Sequence, residues 1–200
     1  MSFVEELNLA LFLQINATPA SSAMAIHVAM FIARDVLKLL PVMLAALWLW
    51  GRPELRGAIV KSSVLTIIAL LGNYLIGLVW PHPRPFAMPI GYTFLAHDAT
   101  PSFPSNHGSI FAMMALCWSF SPARGWGCLL AIAGVLVAWS RVFLGVHFPL
   151  DMLGALLVSL CWYAALSPLW GRYETAVVAA LESCYRRLLA RPIAAGWIRA

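Results

Sequence analysis

Five long apolar runs decide what kind of structure this chain can form: residues 24–50, 58–80, 107–120 with its flanks, 126–143 and 150–170. A helix rises about 1.5 Å per residue, so roughly 20 mostly apolar residues cross a bilayer's hydrocarbon core. The runs predict an all-α, polytopic membrane bundle with about five transmembrane helices. Composition points the same way, because 62% of the residues are hydrophobic and 10% charged, with a mean hydropathy of +0.84. Soluble domains carry about 25% charged residues, and a soluble enzyme is thereby excluded. The segment before Thr18 is short and amphipathic, which predicts an N-terminal helix lying in the interface rather than crossing it. Glu5 and Glu6 stand where a signal peptide needs positive charge, so no cleavage is expected.

The formal net charge of +5 raises the question of a nucleic-acid partner. The cations are scattered among apolar runs and form no basic face with interleaved aromatics, so none is expected. They report topology instead. Arg52, Arg56 and Lys61 fall in one connection, Arg124 in another, and Arg172, Arg186, Arg187, Arg191 and Arg199 follow the last run. Five alternating spans put all of these on one side, and basic residues favour the cytoplasm. The expected organisation is a single domain over 1–200, with a core over about 20–170 and a cytoplasmic basic tail over 171–200. Cys117, Cys128, Cys161 and Cys184 include no CxxC pair and argue for neither a disulfide framework nor zinc.

Three polar clusters share the opposite, outer level: PHPRPF at 81–86, FPSNHG at 103–108 and SRVFLGVHFPLD at 140–151. Ionisable residues in a bilayer protein are costly and usually functional. Arg84 and Arg141 offer planar forks suited to phosphate oxygens. Ser105 and Asn106 are good N-cap residues, so the helix starting there should aim free N–H groups at an anion. Pro149 fits the first position of the next helix, placing His147 just outside it and Asp151 in its first turn. The carboxylate can then fix one imidazole nitrogen and leave the other as a nucleophile. His107 is the natural proton donor to a leaving oxygen. His82 can add charge from the first cluster.

The RP of Arg84 and Pro85, the PSNH of 104–107, and Ser140-Arg141 followed by five residues, His147, three residues and Asp151 resemble the three-part signature of the type 2 phosphatidic acid phosphatase (PAP2) superfamily. PHPRPF and SRVFLGVHFPLDMLG look closest to its bacterial undecaprenyl-diphosphatases, the type associated with bacitracin resistance. The resemblance implies a metal-independent phosphatase without cofactor. In it His147 forms a phosphohistidine, Asp151 orients it, His107 serves as acid and then base, and Arg84, Arg141, Ser105 and the Asn106 backbone hold phosphate. The implied substrate is a lipid diphosphate, and the implied place a bacterial inner membrane with the site facing outward. Six core spans are common in the superfamily, so six are possible here. The family's first motif would put a lysine at position 77, where this chain has Gly77; either the phosphate clamp uses one fewer cation or His82 takes up part of that role.

The same site chemistry would serve phosphatidylglycerophosphate, phosphatidic acid or lipid A, or a phosphotransferase with a lipid acceptor. A channel or scaffold would need polar residues lining a path through the membrane, whereas these concentrate at one end. His97 and Asp98 read as a polar loop, and His27 as structural. Arg34, Asp35 and Lys38 lie well inside the first run and admit two readings: an ion pair facing neighbouring helices, or a break that brings Arg34 near the outer interface to meet a polyanionic headgroup.

Overall fold

The computed structural model describes residues 2–200, and no strand occurs among them. The helices are α1 (Phe3–Ile15), α2 (Ala23–Arg34), α3 (Val36–Trp50), α4 (Arg56–Val79), α5 (Asn106–Ser119), α6 (Arg124–Phe143), α7 (Pro149–Leu188) and α8 (Ala190–Ala194). Short 3-10 turns occupy Pro53–Leu55 and Pro85–Ala87. Pro53–Val79, α6 and α7 are each long and apolar enough to cross a membrane. Their outward faces carry exposed apolar side chains such as Ile67, Leu71, Ile132, Val135, Leu153 and Leu157, which suit lipid contact.

The first apolar run is two helices. The chain breaks at Asp35, where Lys38 N–H bonds the Asp35 carbonyl at 3.0 Å, a three-residue reach in place of four. Pro41 lies one turn further on inside α3 and has no N–H to give the ladder. The two halves serve different cores. Ala29 and Ala33 of α2 pack with Leu95, Leu144 and Val146 at the outer end. Leu40 of α3 joins the main core with Leu65, Phe111, Trp118 and Val137.

The other runs need smaller adjustments. α5 has 14 residues, short for a crossing. α7 does not stop where the apolar run does; it continues for 40 residues, about 60 Å at helical rise. The expected free tail is therefore mostly helix, and its end folds back on the bundle. Arg56 is buried at the inner end, donating to Glu182 Oε1 at 3.1 Å and to the Arg199 carbonyl at 3.2 Å. Its guanidinium also lies over Trp48 and Tyr185, and the Tyr185 hydroxyl donates to the same Arg199 carbonyl.

At the opposite end α1 acts as a strut. Ser2 caps it and its apolar side chains Phe3, Val4, Leu7 and Leu11 stay exposed, as an interfacial helix requires. Two asparagines pin the outer loops. Asn8 Oδ1 accepts from Leu150 N–H at 3.1 Å, at the start of α7. Asn16 Nδ2 donates to the carbonyls of Tyr92 and Phe143, while its Oδ1 accepts from Tyr92 N–H. Phe12 packs edge-on to Phe148 with ring centres 5.2 Å apart.

Candidate active site

The α6–α7 corner turns through Gly145, whose φ of +78° lies where an L side chain is strained. A Cβ there would also strike the Tyr92 carbonyl at 2.1 Å. Helix α7 then starts at Pro149, as the sequence predicts, with Asp151 in its first turn. The Oδ2 of Asp151 accepts from Phe148 N–H at 2.8 Å and from the Ser102 hydroxyl at 2.5 Å, and faces His147 Nδ1 at 3.2 Å. The sequence reading did not include Ser102, which also lies 3.2 Å from His147 Nδ1 and is fully buried.

His147 is 2% exposed, and its two ring nitrogens meet opposite kinds of group. Nδ1 faces the carboxylate. Nε2 faces Arg84 Nη1 at 3.0 Å and Ser105 Oγ at 3.3 Å. A guanidinium only donates, so the partners assign the proton to Nδ1 and a lone pair to Nε2. Burial pulls the imidazole down to about 4, and hydrogen bonding and charge from Asp151 only partly oppose this. The ring is neutral at pH 7, with its lone pair available.

Two buried arginines belong to this region and differ in their bonding: Arg84 stands beside Nε2, and Arg141 lines a cavity with His107. Arg84 is saturated: it donates to the carbonyls of Thr100, Pro101 and Val146 and to Thr100 Oγ1, besides His147. Arg141 is equally buried at 3% exposure, yet its Nε and Nη2 have no partner. An unmatched buried guanidinium is expensive, and two free donors here fit an anion.

Ser105 caps α5 as predicted, accepting from Gly108 N–H at 3.4 Å. The first-turn N–H groups of Asn106 and His107 have no intrahelical acceptor and carry the positive end of the helix dipole. Asn73 of α4 holds this turn, donating to Asn106 Oδ1 at 3.1 Å and to Ser109 Oγ at 2.8 Å. Against α7, Gly108 lets the turn sit close, since a Cβ would be 2.8 Å from that of Ala155. His107 and Arg141 line one cavity of about 570 Å³.

His82 leaves its Nδ1 buried without a hydrogen-bond partner. Its Nε2 faces Glu5 Oε1 at 3.8 Å and its ring stands edge-on to Phe148, while its backbone carbonyl accepts from Ser102 N–H. His97, read from sequence as part of a polar loop, stands edge-on to His147 with ring centres 6.3 Å apart. Burial lowers its basicity. Among the described residues, no three His, Cys, Asp or Glu side chains are grouped to hold a metal ion.

Residues 58–174 match the PAP2 superfamily. YbjG of Escherichia coli strain K12, provisionally named an undecaprenyl-diphosphatase, is 42% identical over 98% of this chain and 99% of its own length. The chain belongs to the PAP2 superfamily. A further PAP2-type relative is the undecaprenyl-diphosphatase BcrC of Bacillus subtilis strain 168, 29% identical over 93% of this chain and 97% of its own length. The crystal structure of Aquifex aeolicus LpxE shares the fold, with a TM-score of 0.62 and 24% identity over 80% of this chain and 95% of that one. Position 77 departs from the PAP2 motif for a visible reason. A Cβ on Gly77 would meet the Cβ of Pro101 at 3.3 Å, so the outer loop packs over the place a lysine stem would leave from.

Proposed function

We propose that this chain hydrolyses undecaprenyl diphosphate to undecaprenyl phosphate and inorganic phosphate, without metal or cofactor, at the outer face of a bacterial inner membrane. The observation that carries the reading is the polarity of His147, with Nδ1 held by Asp151 and the Nε2 lone pair facing Arg84 and Ser105. Nε2 attacks the terminal phosphorus while the bond from phosphorus to the bridging oxygen breaks. The bridging oxygen keeps that electron pair and takes a proton from His107, leaving as lipid monophosphate. Water, deprotonated by the same His107, then attacks the phosphohistidine and returns the Nε2 lone pair with release of inorganic phosphate. Asp151 stabilises the imidazolium character that develops during attack. Arg141, with two free donors, receives phosphate oxygens, and the helix start at Asn106 adds its N–H groups.

Other observations support the finer points. Asp151 already has three donors on one oxygen, and among the described residues no three His, Cys, Asp or Glu side chains are grouped around a common point. Two near-full-length relatives carry the undecaprenyl-diphosphatase name. Arg56 and the C-terminal residues after the last apolar run pack together with Glu182 away from the site, which supports a site facing outward.

The test is phosphate release from undecaprenyl diphosphate by purified protein in detergent. His147→Ala should lose at least about 1,000-fold in kcat/KM while keeping its thermal midpoint within a few degrees. Retention of a tenth of the activity would remove His147 from the reaction.

A further inference from the structure

The cavity that holds His107 and Arg141 extends to the break in the first span. Arg34 and Lys38 line it together with them. Neither belongs to the three clusters that carry the PAP2 signature. Ala33, the neighbour of Arg34, packs into the outer-end cluster with Leu95, so the break is at the level of the active site and not at mid-membrane.

The charges in this cavity do not balance. Arg34, Lys38 and Arg141 contribute three formal positives. The adjacent acid, Asp35, is spent on Lys38 through a 2.7 Å ion pair. Among the described residues Arg34 enters no ion pair. Arg141 is the second and independent sign, since it is buried with two donors unused. With Asp35 offsetting Lys38, Arg34 and Arg141 remain as two uncompensated cations beside a low-dielectric layer, and they repel one another unless a further anion sits between them.

We infer that Arg34, with Lys38 beside it, forms a second phosphate subsite that holds the lipid-linked phosphoryl group of a diphosphate while the terminal one reacts, making these residues determinants of diphosphate specificity. The inference rests on the proposed function, and the geometry gives the direction. The attacked phosphorus stands before His147 Nε2. The bridging oxygen must be near His107. Whatever lies beyond that oxygen is the leaving lipid phosphate, and Arg34 and Lys38 line the same cavity as His107. As the bond breaks, negative charge grows on this phosphate, so cations placed here stabilise the transition state more than the ground state. A lipid monophosphate has an alkoxide in that position and gains far less from them.

The experiment compares farnesyl diphosphate with phosphatidic acid in one detergent, using the full chain and its Arg34→Gln, Lys38→Gln and Arg34→Gln/Lys38→Gln variants. Both side chains are exposed, so folding is not at stake. The ratio of kcat/KM for diphosphate over monophosphate should fall about 10-fold in Arg34→Gln and about 30-fold in the double variant, with Arg34→Lys retaining most of it. Competitive inhibition by farnesyl monophosphate, the product expected in this subsite, should weaken in parallel. Arg52→Gln, in the inner connection, should keep the wild-type ratio. An unchanged ratio in the double variant, or equal loss on both substrates, would overturn the subsite and leave the proposed function standing. Failure of the unmodified protein to release phosphate from any lipid diphosphate would instead overturn the function and the subsite with it.

Discussion

The two arginines proposed to hold phosphate have been given opposite surroundings. Around Arg84 the outer loop and the α6–α7 corner supply three carbonyls and a hydroxyl, so this region is complete without a ligand. Around Arg141, and across the cavity to Arg34, donors and charges are left over. In the proposed reaction the first region is a brace that presents His147 to phosphorus, and the second is a receptor that an anion would complete. A motif treats both as phosphate-binding arginines, but removing one should damage the scaffold and removing the other should damage recognition.

The largest effect is expected on the brace. Arg84→Ala strands the buried Val146 carbonyl and unties Thr100 and Pro101 from the α6–α7 corner, so it should cost about 2 kcal/mol of stability as well as roughly 1,000-fold in activity. Thermal unfolding and phosphate release on one preparation would show both. Arg141→Ala should lower kcat/KM by about 100-fold while leaving the thermal midpoint of the ligand-free protein unchanged or higher, because an unpaired buried cation is relieved. A midpoint that drops as far as in Arg84→Ala would erase the distinction. A smaller effect separates the neutral imidazole from both. His147 is held near 4 in the fold against about 6.5 when unfolded, so its contribution to stability is complete above pH 6.5 and is lost as pH falls through 4. Between pH 7 and 5 the protein should lose roughly 2 kcal/mol more than His147→Gln does, measured by denaturation at both pH values.

How much of this could be read in advance follows the range of the interactions. Pro149, Ser105 and the spacing of His147 and Asp151 are local signals, and the helix starts lie where those residues put them. At Asp35 the sequence allowed an intact or a broken span, and only tertiary packing of Ala29 and Ala33 against the outer loop decides for the break. Ser102 gave no signal, since a serine among loop prolines becomes part of the site only through contacts with His147 and Asp151, more than 40 residues away. Asn8 and Asn16 could have been found, because an amide in an otherwise apolar interfacial helix is tolerated only with partners. The continuation of α7 past residue 170 was hidden by hydropathy, which tracks where lipid ends and not where helix ends.

The register of α5 against α4 bears on how a very long-chain lipid is served. Asn73 meets the first turn of α5, and α4 runs on for six residues beyond it to Val79. The first turn of α5 thus sits about 9 Å short of the end of α4, which for the proposed substrate would make a well below that helix end. Every methylene lifted from the bilayer into water would cost about 0.8 kcal/mol, a sum that no pocket of this size could repay. With the well at this depth the chain stays dissolved among other lipids, and water makes the descent.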